Sequence, residues 1–187
     1  MGRMTVLPRA DGEWTVEDLV HLPDDGLQYE LLDGMLLVTP APALLHQRVV
    51  ARLHLLLASA CPAGLEVFFA PVDWRPDRRT SLQPDLLVVR GEDVEAQSLA
   101  APLVLAVEVL SPSTGRKDEL LKRAKYEEAG VPSYWIVDPA EPSLHALDLV
   151  EGRYATAVRA GGDEVARLRR PFPMDVVPAA LVSPPGA

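Results

Sequence analysis

Two carboxylates stand inside apolar runs of this chain. Asp85 opens Asp85-Leu-Leu-Val-Val89 directly after Pro84, and Glu108 sits within Leu103-Val-Leu-Ala-Val-Glu-Val-Leu110. Both runs read as buried strands, where an ionised carboxylate is costly unless a cation or hydrogen-bond donors compensate it. In a strand Glu108 alternates with Val107 and Val109 and shares a face with Val104, Ala106 and Leu110. If the two strands are neighbours, the carboxylates meet. Such a pair suits Mg²⁺, a hard ion held by one or two carboxylates plus waters and phosphate oxygens. The chemistry implied is phosphodiester hydrolysis, in which the metal activates water and a nearby ammonium positions the nucleophile or offsets developing charge. Lys122 is the candidate ammonium, one turn after Asp118 and one turn before Tyr126, so that the three form a stripe on a helix.

Each residue also has a plainer reading. Asp after Pro is often a turn or cap residue. An ion pair with Lys122 or Arg116 would satisfy Glu108. Tyr134 and Trp135 read as core aromatics in a strand.

The whole chain bounds these readings. With 187 residues, 48% of them hydrophobic, it can form one α/β domain over 1–187 with a real core. Met1–Thr15 has no apolar h-region, and Ala101–Leu110, the longest apolar stretch, is too short to span a bilayer and contains Glu108. The expectation is a soluble cytoplasmic protein with no membrane partner. Cys61 has no second cysteine to pair with, and its setting at a helix end reads as packing. A net charge of −9 argues against a protein that coats nucleic acid. Locally, Arg116, Lys117, Lys122, Arg123 and Lys125 outnumber Asp118 and Glu119, and Arg75, Arg78 and Arg79 form a second cluster. Such patches can attract phosphate, or can be ordinary solvated faces.

The elements that must position the acids follow from periodicity and turn chemistry. Trp14–Val20 reads as a short helix with Thr15 as cap and Asp18 three residues on. Tyr29–Val38 reads as two strands joined by the tight turn Asp33-Gly34. Ala43–Ala60 has a helical period through Leu45, Val49, Leu53, Leu56 and Leu57. Leu65–Trp74, Pro84–Val89 and Leu103–Leu110 read as strands, the first two separated by an Arg-rich turn. After the polar segment Ser111–Gly115 comes a helix over Lys117–Ala129, a strand over Ser133–Asp138, and a closing hairpin around Glu151-Gly152.

Taken together, several motifs carry a resemblance. Tyr29-Glu-Leu-Leu-Asp-Gly34, His46, Gln83-Pro-Asp85, Val107-Glu-Val-Leu-Ser-Pro-Ser-Thr114, Lys122 with Tyr126, and Gly130-Val-Pro-Ser-Tyr-Trp-Ile-Val-Asp-Pro139 resemble the Uma2 family (DUF820) over about 22–181. That family is grouped with the PD-(D/E)XK restriction-endonuclease-like superfamily. The resemblance implies a restriction-endonuclease-like core in the order helix, three strands, helix, strand. Around it stand an N-terminal hairpin and a β-rich C-terminal extension, with 1–13 and 183–187 as flexible ends.

The resemblance also implies a metal-dependent endonuclease acting on DNA, with Asp85 and Glu108 as metal ligands and Mg²⁺, or Mn²⁺ in its place, as cofactor. The superfamily's lysine stands two residues after the second acid, where this chain has Leu110. The family pattern resembles a lysine moved to the following helix, which matches Lys122, with Lys117 and Lys125 as substitutes. Glu30 matches an early glutamate that adds a metal or water ligand, and His46 a histidine facing the same cleft. Read from side chains alone, Glu30 is equally the exposed residue of an alternating strand, and His46 an ordinary packed or surface histidine. Together with the apolar β-rich tail, the resemblance points to a homodimer. Two other function classes stand beside the nuclease: a catalytically silent module of the same fold that binds protein or nucleic acid, and a hydrolase of small phosphoesters.

Overall fold

A computed structural model describes residues 5–9, 12–94, 99–111 and 116–184, with the side chains of 116–119 outside the description. Most of the polar segment after Ser111 and the side chains of Arg116, Lys117, Asp118 and Glu119 therefore lie outside the described residues. The chain begins with β1 (Thr5–Leu7), β2 (Gln28–Leu32) and β3 (Met35–Thr39). Thr5–Leu7, within the segment expected as a flexible end, pairs with β3. The Asp33-Gly34 turn joins β2 to β3 with φ of 48° and 81°, the positive values that a two-residue hairpin turn requires. Between β1 and β2 the expected helix over Trp14–Val20 shrinks to a 3-10 turn, Asp18–His21. Thr15 does not cap this turn, whose N-cap is Glu17 without a side-chain bond, but it does bond Asp18, donating its backbone N–H and its hydroxyl to Asp18 Oδ2 at 2.9 and 3.0 Å. Pro23 and the turn-forming Asp24-Asp-Gly26 follow at once and end it.

Next come α1 (Leu44–Ala60), β4 (Leu65–Phe69), β5 (Trp74–Asp77), β6 (Thr80–Leu82), β7 (Leu86–Arg90) and β8 (Leu105–Val109). They are followed by α2 (Arg116–Glu128), β9 (Ser133–Asp138), β10 (Ser143–Val150), β11 (Arg153–Gly161), β12 (Ala166–Leu168), β13 (Met174–Val176) and α3 (Pro178–Val182). The expected order of helix, three strands, helix, strand is present as α1, β4, β7, β8, α2 and β9, with one insertion. The strand expected over Leu65–Trp74 ends at Phe69, because Pro71 cannot donate to a ladder. The expected Arg-rich turn is itself the β5–β6 hairpin, and this hairpin joins the N-terminal strands instead of the central ones.

The central sheet has the order β11-β10-β9-β8-β7-β4 and the N-terminal sheet the order β1-β3-β2-β6-β5, while β12 and β13 form a separate pair. Within the central sheet β8 and β9 are the parallel neighbours, connected through α2. Both faces of this sheet are covered at its centre, which is why β7, β8 and β9 are apolar without alternation. On one side Leu86, Val88, Val107 and Trp135 pack against Val49, Leu53 and Leu57 of α1 and Leu181 of α3. On the other, Leu87, Val89, Ala106, Tyr134 and Ile136 pack against Tyr126 of α2 and against Leu32, Leu37, Trp74 and Leu82 of the N-terminal sheet. Tyr134 and Trp135 are both fully buried, as their strand reading anticipates, and they face opposite cores. Cys61 packs at the edge of the first core with its thiol directed at the Leu65 carbonyl, and burial pushes its pKa up, consistent with a packing role.

The two hairpin turns differ in what surrounds them. A Cβ added at Gly34 would lie 2.9 Å from Glu13 Cβ, whereas one added at Gly152, φ 77°, meets nothing within 4 Å. Both Gly→Ala changes incur the left-handed backbone cost of about 1–2 kcal/mol. Gly34→Ala is expected to lose more stability than Gly152→Ala in urea unfolding, and equal losses would contradict the crowding at Gly34.

Candidate active site

The register of β7 against β8 pairs Leu86 with Val107, which sets Asp85 next to Glu108 at one end of the central sheet. Asp85 stands just before its strand. Its Oδ2 accepts the Val109 backbone N–H at 2.7 Å, and its Oδ1 faces His46 Nε2 at 3.2 Å. His46 comes from the first turn of α1 and is itself buried. The α2 stripe supplies the other side: Lys122 Nζ lies 3.3 Å from both Glu108 oxygens, and the Tyr126 hydroxyl donates to Glu108 Oε1 at 2.8 Å. Glu30 closes the group from β2. Its Oε1 accepts from Lys122 Nζ and from the Gln83 backbone N–H, both at 2.8 Å.

The five predicted residues, Glu30, His46, Asp85, Glu108 and Lys122, therefore converge on one cleft of about 590 Å³, which Leu110, Gln83 and Arg75 also line. Leu110 lines the cleft, and the ammonium beside Glu108 arrives from α2. Lys125, the other expected substitute, serves elsewhere. Its ammonium pairs with Asp33 at 2.7 Å and Asp77 at 3.1 Å, pinning α2 to the tips of two hairpins. Lys117 lies outside the described side chains. The Arg-rich tip is largely neutralised as well, since Arg75 pairs with Asp73, Arg78 with Glu17 and Arg79 with Glu13. The sequence reading set Tyr126 on one helix stripe with Lys122 and Gln83 in one motif with Asp85, without giving either a role in the site. Asp73, and the placing of Arg75 beside it in the cleft, come only through sheet pairing.

The ionisation of the site shows how its charges balance. Burial, partly offset by Lys122 and reinforced by the charges of Asp85 and Glu30, pushes Glu108 up to about 7. For Lys122, burial opposes the charged form, but Glu108 and Glu30 outweigh it and raise its pKa, so the ammonium persists through neutral pH. His46 shifts upward too: burial works against its charge, and the Asp85 contact, the Glu108 charge and the Val109 backbone overcome that. The Tyr126 hydroxyl is held neutral by burial and the neighbouring Glu108. Three carboxylates thus face the Lys122 ammonium and the His46 ring, a site short of positive charge whenever that ring is neutral.

That shortage and the hard oxygen donors fit a divalent cation. Among the described residues no group of three or more His, Cys, Asp or Glu side chains is arranged to cage a metal. Mg²⁺ does not need such a cage, since it keeps several waters and binds through one or two carboxylates. Asp85 and Glu108, side by side on neighbouring strands, offer two carboxylates of that kind.

A family model, Uma2, described as "Putative restriction endonuclease", matches residues 16–181. The chain belongs to the Uma2 family. Among solved structures it is similar to one described as "a putative nuclease belonging to DUF820" from Anabaena variabilis, with 16% identity and a TM-score of 0.69. The likeness covers 90% of this chain and 97% of the other, and it shows a shared fold. No curated protein matches the chain. The Uma2 match spans all five predicted site residues and both hairpins that frame the cleft. The restriction-endonuclease-like family generally uses divalent metal ions, and among the described residues no helix is long and apolar enough to cross a membrane.

The Glu108 ionisation generates a pH prediction for the metal-free Uma2 protein. A folded pKa of about 7 against an ordinary value of 4.5 means the fold holds this proton more tightly than the unfolded chain does. The resulting stability is fully present below about 4.5 and is lost as pH rises through about 7. Glu108→Gln, which retains an acceptor for Tyr126 but cannot ionise, is expected to raise the melting temperature near pH 8 and to change it little near pH 5. Equal changes at both pH values would contradict the shifted ionisation.

Proposed function

We propose that this Uma2 protein is a divalent-metal-dependent endonuclease that hydrolyses phosphodiester bonds in DNA. The observation that carries this reading is the meeting of Asp85 and Glu108 on neighbouring strands in a cleft that Lys122 enters from α2. The family description and the superfamily resemblance supply the substrate class.

In this reading Asp85 and Glu108 hold Mg²⁺, with Mn²⁺ as a substitute. Bound there, the ion supplies an activated water and Lewis-acid stabilisation of the phosphate. The protein's own groups prepare the site. Val109 N–H fixes one oxygen of Asp85, and His46 Nε2 orients the other. Tyr126 donates a hydrogen bond to Glu108 Oε1 and holds that carboxylate in place. Lys122 stays protonated at neutral pH, so its role is to offset negative charge beside Glu108 and not to accept a proton. Glu30 holds the ammonium from the opposite sheet through Oε1, beside the ligand role that the resemblance implies for it.

Because Lys122 is buried between two carboxylates, deleting its charge also threatens the fold. The acids are therefore the cleaner test. Purified protein with Mg²⁺ or Mn²⁺ is expected to nick supercoiled plasmid, and a chelator to stop it. Asp85→Asn and Glu108→Gln are expected to lower the rate about 100-fold or more while melting cooperatively. Unchanged nicking in both variants would sink the site. A parent protein inactive with every divalent ion would favour the silent binding module.

A further inference from the structure

The segment Asp73-Trp74-Arg75 alternates around a buried tryptophan. Trp74 is 1% exposed and stacks on Tyr126 at 5.4 Å, so the period of two turns Asp73 and Arg75 together to the opposite side. The backbone there is clamped on both flanks, with Leu99 N–H donating to the Asp73 carbonyl at 2.9 Å and Arg75 N–H to the Leu99 carbonyl at 2.8 Å. Opposite lies β6, with Trp74 facing Leu82, so Ser81 and Gln83 share the side that carries Arg75. A chain of side-chain bonds follows from that pairing. Arg75 donates from Nη2 to Asp73 Oδ2 at 2.6 Å and from Nε to Ser81 Oγ at 3.3 Å, and Gln83 Nε2 donates to Asp73 Oδ1 at 2.8 Å. Gln83 also holds Glu30 through its backbone N–H.

Arg75 lines the same cleft as Asp85, Glu108 and Lys122. The other two arginines of the tip are drawn to Glu17 and Glu13, and Lys122 is enclosed by Glu30 and Glu108. Nη1 of Arg75 takes no part in the bonds to Asp73 and Ser81, so the orienting contacts leave donors of the fork available. A cleft rich in carboxylates repels a polyanion, and a planar guanidinium held in one orientation is the side chain best matched to a phosphate in such surroundings. We propose that Arg75 binds a backbone phosphate of the nucleic-acid substrate in the cleft, beside the phosphate that is cut. This inference rests on the nuclease reading above. Asp73 and Gln83 are positioning residues that hold the fork.

The test uses the whole 187-residue chain, a fluorescent duplex oligonucleotide with Ca²⁺ in place of Mg²⁺ for binding, and the plasmid assay in Mg²⁺. Arg75→Gln is expected to weaken duplex binding about 10- to 100-fold, the loss of one charge-assisted contact. It is also expected to flatten the slope of log affinity against log salt by about 0.9, the release of one phosphate contact. Arg78→Gln serves as control with parental values. Arg75→Lys keeps the charge without the fork and is expected to retain the slope while losing part of the affinity, which carries the test if Arg75→Gln melts early. Binding and slope unchanged in Arg75→Gln overturn the role of Arg75, while the loss of nicking in Asp85→Asn leaves the nuclease reading standing. A parent that binds but never cuts removes the nuclease reading, and the slope then decides Arg75 alone. A parent that neither binds nor cuts overturns both.

Discussion

One buried ammonium holds this molecule's parts in register. Lys122 Nζ, on α2, touches Glu30 of the N-terminal sheet and Glu108 of the central sheet at once. A charge in that position cannot be removed singly without leaving carboxylates buried and unpaired, a loss of about 3–5 kcal/mol in comparable cases. The same contact that ties the two sheets together also fixes the separation of the acidic groups. Structure and chemistry therefore share a residue, and neither the cleft nor the packing of α2 can relax independently.

Around that point α2 is held by contacts of different kinds. Lys125 pairs with the tips of two hairpins through Asp33 and Asp77. Tyr126 lies in a run of stacked rings from Trp74 through Tyr126 and Tyr134 to Tyr154, with centroids 5.4, 5.2 and 5.7 Å apart. Offset ring contacts of this kind add to the area they bury. Successive turns of one helix thus supply a cation, an aromatic anchor and a hydrogen-bond donor to Glu108. A site carried on packed strands and a braced helix keeps its geometry better than one built on loops.

The acidic character of the chain is compatible with a polyanionic substrate because charge acts locally. The net charge of −9 is spread over the surface, where it is screened beyond about 8–10 Å at ordinary ionic strength. Within the cleft three carboxylates face Lys122, His46 and Arg75, and burial, reinforced by the charges of Asp85 and Glu30, raises the Glu108 ionisation. The fold leaves room there for positive charge from solution, and it closes Arg78 and Arg79 at the hairpin tip into ion pairs.

Much of this was legible locally. Asp33-Gly34 and Glu151-Gly152 specified their hairpins because a two-residue turn demands positive φ, and the helical period of α1 is a property of its own residues. The two acids stood out because an ionised group in an apolar run needs an explanation wherever it lies. Other features were set by partners distant in sequence. That Glu30 meets Lys122 across 92 residues, that Lys125 turns to the hairpins, and that Leu65–Trp74 is broken so that Asp73 and Arg75 face the cleft all depend on which strands became neighbours. The sequence by itself determined which side chains could carry the chemistry and roughly which elements hold them. Only the tertiary structure decided which lysine pairs with Glu108 and which arginine lines the site, because burial against both faces of the central sheet sets the register, and no local pattern encodes that choice.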